Sequence, residues 1–94
     1  MTYELQFHEQ ALAEWRKLDK PIQSAFKKKL AERLNNPRIP SARLSGMPDC
    51  YKIKLLSVGY RLIYRVEDQV VRVTVISVGK RDAMAAYSAA AKRL

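Results

Sequence analysis

Residues 49 to 81, DCYKIKLLSVGYRLIYRVEDQVVRVTVISVGKR, alternate apolar residues with cations over three consecutive short runs. A period of two marks strands, whose successive side chains point to opposite faces. Tyr51, Ile53 and Leu55 share one face of the first run. Lys52 and Lys54 share the other, ~7 Å apart at the usual rise per residue. In the second run Tyr60, Leu62, Tyr64 and Val66 alternate with Arg61, Ile63 and Arg65; in the third, Val71, Val73 and Val75 alternate with Arg72 and Thr74. A turn containing Gly59 joins the first two runs, and the polar Glu67-Asp68-Gln69 joins the second to the third. Links this short predict an antiparallel meander. Lys52, Lys54, Arg61, Arg65 and Arg72 are then expected to stand outward, with Lys80 and Arg81 at the exit. Ordinary half-exposed sheets balance their charges. A row of one sign needs a reason.

The rest of the chain supplies what covers the other face. Tyr3, Leu5 and Phe7 alternate with Glu4 and Gln6, which predicts a first strand over residues 2 to 7. Ala11, Leu12, Trp15 and Leu18 recur at helical spacing, with Glu9 and Glu14 expected on the wet side. Asp19, Lys20 and Pro21 look like a cap and first turn of a second helix, in which Ile22, Phe26, Leu30 and Leu34 step by four. Lys27, Lys28, Lys29 and Arg33 crowd the remainder, and Asn35-Asn36-Pro37 stops it. Residues 38 to 48 carry Pro40, Gly46 and Pro48 and show no period, so they read as a loop, made basic by Arg38 and Arg43. Asp82 is placed to cap a closing helix whose Met84, Tyr87, Ala91 and Leu94 fall on one side. Lys80 and Arg81 precede its first turn, where the helix dipole disfavours cations, so they are better placed for a ligand. The architecture expected is α+β: an N-terminal strand, a helical hairpin, a meander completing a four-stranded sheet, and a short C-terminal helix. Residues 1–94 read as a single domain.

Eighteen Lys and Arg against nine Asp and Glu leave a formal charge of +9. On so small a domain this favours a polyanionic partner, with nucleic acid ahead of an acidic protein segment or an anionic membrane. No apolar run approaches the ~20 residues of a spanning helix, and no signal peptide opens the chain. Cys50 is the sole cysteine and His8 the sole histidine, so neither a disulfide nor a zinc ligand set is expected, and a reducing cytoplasm fits. Cys50 reads as structural or incidental, and His8 as incidental.

Cutting RNA without a metal requires activating a 2′-OH, holding an in-line geometry that gains negative charge, and protonating the departing 5′ oxygen. This chain has no histidine pair, and Glu67, Asp68 and Asp82 lie in a turn or a cap. Lys, Arg and Tyr remain. Their ordinary pKa values of ~10 or above suit proton transfer poorly. Crowded cations ease deprotonation of a Lys or a facing Tyr. Arginine stays charged and grips phosphate through two donors. The same pattern also suits a face that only binds, or one that is simply solvated. Tyr87 suits a core position as well as a site, and Lys27-Lys28-Lys29 suits a wet helix face or a dock for structured RNA.

PRI at 37, LSGMPDCYKIKL from 44, GYRLIY from 59, VISVGKR from 75 and Tyr87 resemble the RelE family of bacterial toxins. So do ALAEWRKL in the first helix and the order of the elements, a RelE/ParE-like, microbial RNase-like arrangement. The resemblance spans essentially the whole chain. It implies an mRNA endonuclease that enters the ribosomal A site and cuts by attack of the 2′-OH on the adjacent phosphate, without metal or other cofactor. The matching positions are Lys52, Lys54, Arg61, Arg81 and Tyr87. Lys54 or Tyr87 would assist deprotonation, Lys52 and Arg61 would stabilise the phosphorane, and Arg81 would stabilise or protonate the leaving oxygen. Arg43, Arg65, Arg72, Lys80, Lys27 and Lys28 are candidates for contact with mRNA or rRNA. The implied partners are the ribosome, mRNA and a RelB-like antitoxin that displaces the closing helix. Operator DNA would be bound only by the toxin–antitoxin complex, and no membrane is involved. The chain departs from the family at Ser45, where relatives often carry a basic residue, and in the Ala-rich segment after Arg81. The other readings are a non-enzymatic ParE-type inhibitor of gyrase, a toxin that blocks the ribosome without cutting, and a basic RNA-binding module.

Overall fold

A computed structural model describes residues 2–80 and 85–93, of 85 and 86 the backbone alone. The elements run β1 (Glu4–Phe7), α1 (Glu9–Arg16), α2 (Lys20–Asn35), β2 (Cys50–Leu55), β3 (Tyr60–Glu67), β4 (Arg72–Lys80) and α3 (Ala85–Arg93). The sheet order is β1-β4-β3-β2. The last three strands form the expected antiparallel meander, with Ile53 opposite Leu62 and Leu62 opposite Val78. β1 lies parallel to β4, Leu5 beside Val73 and Phe7 beside Val75. Alternation reveals which residues face inward, not which strand is the neighbour.

Both helices of the hairpin form where expected, but their ends are held differently. His8 is not incidental: its Nδ1 accepts from the Gln10 N–H at 3.1 Å and caps α1. Asp19 stands at the N-cap of α2 without a side-chain capping bond, while Pro21 sits in the first turn. Ala11, Trp15, Phe26 and Leu30 are buried against one sheet face, with Trp15 tilted between Phe7 and Phe26. Burial of a side chain such as Phe26 or Leu30 contributes about 1.5–3 kcal/mol.

Three departures matter for the site. First, the face expected to carry a row of cations also carries a second core of Leu44, Cys50, Ile63, Ile76 and Ala90, with Met47 and Tyr87 packed on it. It arises because β4 slips by one residue: Ile63 pairs with Ser77 but Tyr64 with Val75, so Ile76 is the extra residue of a bulge. Second, the docked face of α3 is Tyr87, Ala90 and Arg93. Ala90 is fully buried whereas Ala91 is exposed, and Met84, Leu94 and the capping Asp82 lie outside the described residues. Third, Glu14 is half-buried rather than wet, in a salt bridge with Arg93. Residues 38 to 48 are also more than a surface wrap. They contain a 3-10 turn over Pro40–Ala42, bury Ala42 and Leu44, and bridge to β2 through Arg43 and Tyr51. Val71 leads into β4 in the left-handed conformation at φ 52°, so the strand proper starts at Arg72.

Candidate active site

Strand register brings the central cations together. Lys54 faces Arg61 directly across β2 and β3, and Lys52 sits two residues away on the same face, opposite Ile63. On its other side Arg61 faces Gly79 of β4, which has no side chain to crowd it. Arg61 therefore leans toward α3, where its Nη1 donates to the Tyr87 hydroxyl and its guanidinium carbon lies 5.1 Å from the ring centroid. The Tyr87 ring rests on the second core while its hydroxyl reaches the cation. Tyr87 thus fits both sequence readings at once.

β2 is an edge strand, and side chains from α2 hold it. Arg33 Nη1 donates to the Lys52 carbonyl at 3.1 Å and to the Tyr64 hydroxyl at 2.9 Å. Tyr64 in turn donates to the Pro37 carbonyl at 2.6 Å, and its ring stacks on Tyr51 with centroids 5.8 Å apart. Burial pushes the Tyr64 phenol up, although Arg33 works against it. Lys52, Lys54, Lys29, Arg33 and Ser41 line a cavity of about 260 Å³ beside this edge. The cavity is open, cationic and of a size to receive a phosphate with part of its sugar.

The remaining predicted contact residues are dispersed. Arg65 is exposed opposite Cys50, four residues along β3 from Arg61 and so ~13 Å away. Arg72 shares the face of Arg65 but is half-buried at the far end of β4, 3.8 Å from Glu67. Arg43 is exposed and lines a cavity of about 430 Å³ with Ser45, Gly46 and Met47. Lys80 is exposed opposite Tyr60, one pair beyond Arg61 and Gly79; Arg81 lies outside the described residues. Lys27 and Lys28 are exposed on α2, on the opposite side of the sheet.

Sequence reasoning missed the residues that position the cluster. Arg33 was grouped with the surface lysines, yet it ties the Lys52 backbone to Tyr64 and, through Tyr64, to Pro37. Arg38 closes the opposite end: it donates to Asp68 at 2.7 Å and reaches Asp49 at 3.1 Å. Asp68, read as a plain turn residue, also accepts from Tyr3 at 2.6 Å. The Tyr3 and Arg38 bonds hold its carboxyl below the usual range. The structural reading of Cys50 fits its place in the second core, where burial pushes the thiol up to about 11.

With this geometry in place, the likenesses to known proteins can be set beside it. Residues 5–84 match the family described as ParE toxin of type II toxin–antitoxin system, parDE. The mRNA interferase toxin RelE of Escherichia coli K12 is 57% identical over 94 residues, spanning 100% of this chain and 99% of its own. The chain belongs to the RelE family of toxins. A structure of an E. coli RelE mutant in the free state superposes with a TM-score of 0.93 at 57% identity, covering 100% of this chain and 99% of that one. RelE from the intact E. coli RelBE toxin–antitoxin complex gives a TM-score of 0.82 at 60% identity, covering 83% of this chain and 95% of that one. The α+β order of elements is thus that of RelE.

Proposed function

We propose that this chain is the toxin of a type II toxin–antitoxin system and an endoribonuclease that cuts mRNA in the ribosomal A site, halting translation. The observation that carries this is the Lys54–Arg61–Tyr87 cluster, standing on a chain similar over its full length to an mRNA interferase. A ParE-type inhibitor that binds gyrase has no use for such a cluster, and the full-length relative is an interferase.

In the proposed reaction the 2′ oxygen attacks the adjacent phosphorus and the bond to the 5′ oxygen breaks. A 2′,3′-cyclic phosphate and a 5′-OH result. Lys54 or Tyr87 takes the proton from the 2′-OH, and Arg81 stabilises or protonates the 5′ oxygen. Lys52 and Arg61 hold the equatorial oxygens as negative charge builds, which is where fixed donors contribute most. Where Lys54 is the base, the Tyr87 oxygen accepts from Arg61 and its own O–H remains to donate toward the substrate; where Tyr87 is the base, it reacts as the phenolate facing Arg61. Arg43, Arg65, Arg72, Lys80, Lys27 and Lys28 belong to RNA contact beyond the scissile phosphate.

The partners follow from the reading: the ribosome with its rRNA, mRNA, and a RelB-like antitoxin. Operator DNA enters only through the toxin–antitoxin complex. No helix among the described residues is long and apolar enough to cross a membrane, and the target assigns the protein to the cytoplasm. The test is to induce the chain in a translating extract and map new mRNA 5′ ends with and without ribosomes. Codon-phased cuts that require ribosomes are expected. Arrested translation without cuts would replace cleavage by blocking.

A further inference from the structure

β4 outruns its neighbour. Its pairing with β1 stops at Val75, so the next backbone groups on that edge need other partners. α1 and α3 supply them. Glu14 Oε1 accepts from the Val78 N–H at 3.1 Å, and Arg93 Nη1 donates to the Ile76 carbonyl at 2.8 Å. The two side chains also grip each other as a fork, Nη1 to Oε1 and Nη2 to Oε2, each at 2.9 Å. Arg93 Nε donates to Gln10 Oε1 at 2.8 Å. The Arg93 side chain is only 13% exposed, so this is not a loose surface pair.

Among the described residues, the side-chain bonds that tie α3 to the sheet are those of Arg93 at one end and of Tyr87 at the other. The helix reads AAYSAAAKR, and Ala90 is its one fully buried side chain among those described. Alanine methyls pack almost equally well one turn along, so the alanines by themselves leave the register open. Tyr87, Ala90 and Arg93 recur every three residues on the docked face, which puts Arg93 ~9 Å along the axis from Tyr87. Polar pairs shielded from water are best attested as devices that fix register.

We propose that Glu14 and Arg93 are positioning residues that lock the register of α3 on β4 and so hold the Tyr87 hydroxyl against Arg61. The inference rests on the proposed site, because it assigns the pair's worth to the placement of Tyr87. A slip of even ~1 Å in a reacting group costs up to about a hundredfold in rate.

The test is single-turnover cleavage on mRNA-programmed ribosomes, far below the melting temperature. Glu14→Gln and Arg93→Ala are compared in the wild-type and Tyr87→Phe backgrounds. Each is expected to lower the saturated rate roughly ten- to a hundredfold while the half-saturating ribosome concentration stays put, with Arg93→Lys recovering part of the loss. In the Tyr87→Phe background the same substitutions are expected to add nothing, because the hydroxyl they position is gone. Wild-type rates from both single variants, or a full additional loss in the Tyr87→Phe background, would overturn the inference. Wild-type cleavage by Tyr87→Phe itself would overturn the site reading, and this inference with it.

Discussion

Lys54 and Arg61 stand directly opposite one another across β2 and β3. Like charges at such positions lower sheet stability by up to ~1 kcal/mol. An anion placed between them would turn that repulsion into binding. On the proposed function, Arg61→Ala lowers single-turnover cleavage by about two to three orders of magnitude. Ribosome binding, measured by filter retention, changes only modestly. Equal loss in both measurements would make this a binding face and nothing more.

Lys27 and Lys28 project from α2 on the other side of the sheet. Among the described residues, neither lines the cavity beside Lys54. Replacing either by Ala should weaken association with ribosomes and reduce the slope of log affinity against log salt by about one, as loss of one phosphate contact does. The saturated cleavage rate should stay at the wild-type value.

Burial alone would push the Glu14 carboxyl up, but its bonds from Arg93 and the Val78 N–H bring it below the ordinary value of 4.5. A folded pKa below the unfolded one stabilises the protein above the unfolded value, and that stabilisation is lost as pH falls through the folded pKa. Thermal melts followed by circular dichroism should therefore show wild type losing stability from about pH 5 downward more steeply than Glu14→Gln. Parallel pH profiles would mean the carboxylate contributes nothing specific.

Tyr64 is fully buried, and its hydroxyl both accepts from Arg33 and donates to the Pro37 carbonyl. Tyr64→Phe leaves those two groups without this partner, which should cost about 1–3 kcal/mol in urea unfolding. Because Arg33 also holds the Lys52 carbonyl, cleavage should fall further than the stability loss explains.

The meander and the hairpin were legible because their signals are local: period two broken by short polar turns, and apolar steps of four ended by Asn-Pro. The second core was hidden for two reasons. Ile63, Cys50 and Leu44 are too few to make a period, and the bulge at Ile76 shifts the phase of β4 in mid-strand. The docked face of α3 was misassigned because alanines carry no phase; Ala90 and Ala91 are equivalent until Arg93 meets Glu14. Lys52, Lys54, Arg61 and Tyr87 could be named from strand phase and family likeness, and the structure brings them to one place. Arg33 and Glu14 could not, because a long charged side chain on a helix looks solvated until its distant partner is known.

Parallel pairing of β1 with β4 joins residues 4–7 to residues 72–75, nearly the two ends of the chain. Closing so long a loop is an entropic cost met only when the last strand exists, and such distant contacts form late. During synthesis the first strand must wait for the final one to be made. A toxin built this way cannot complete its sheet, or dock the helix carrying Tyr87, until β4 and α3 have been made.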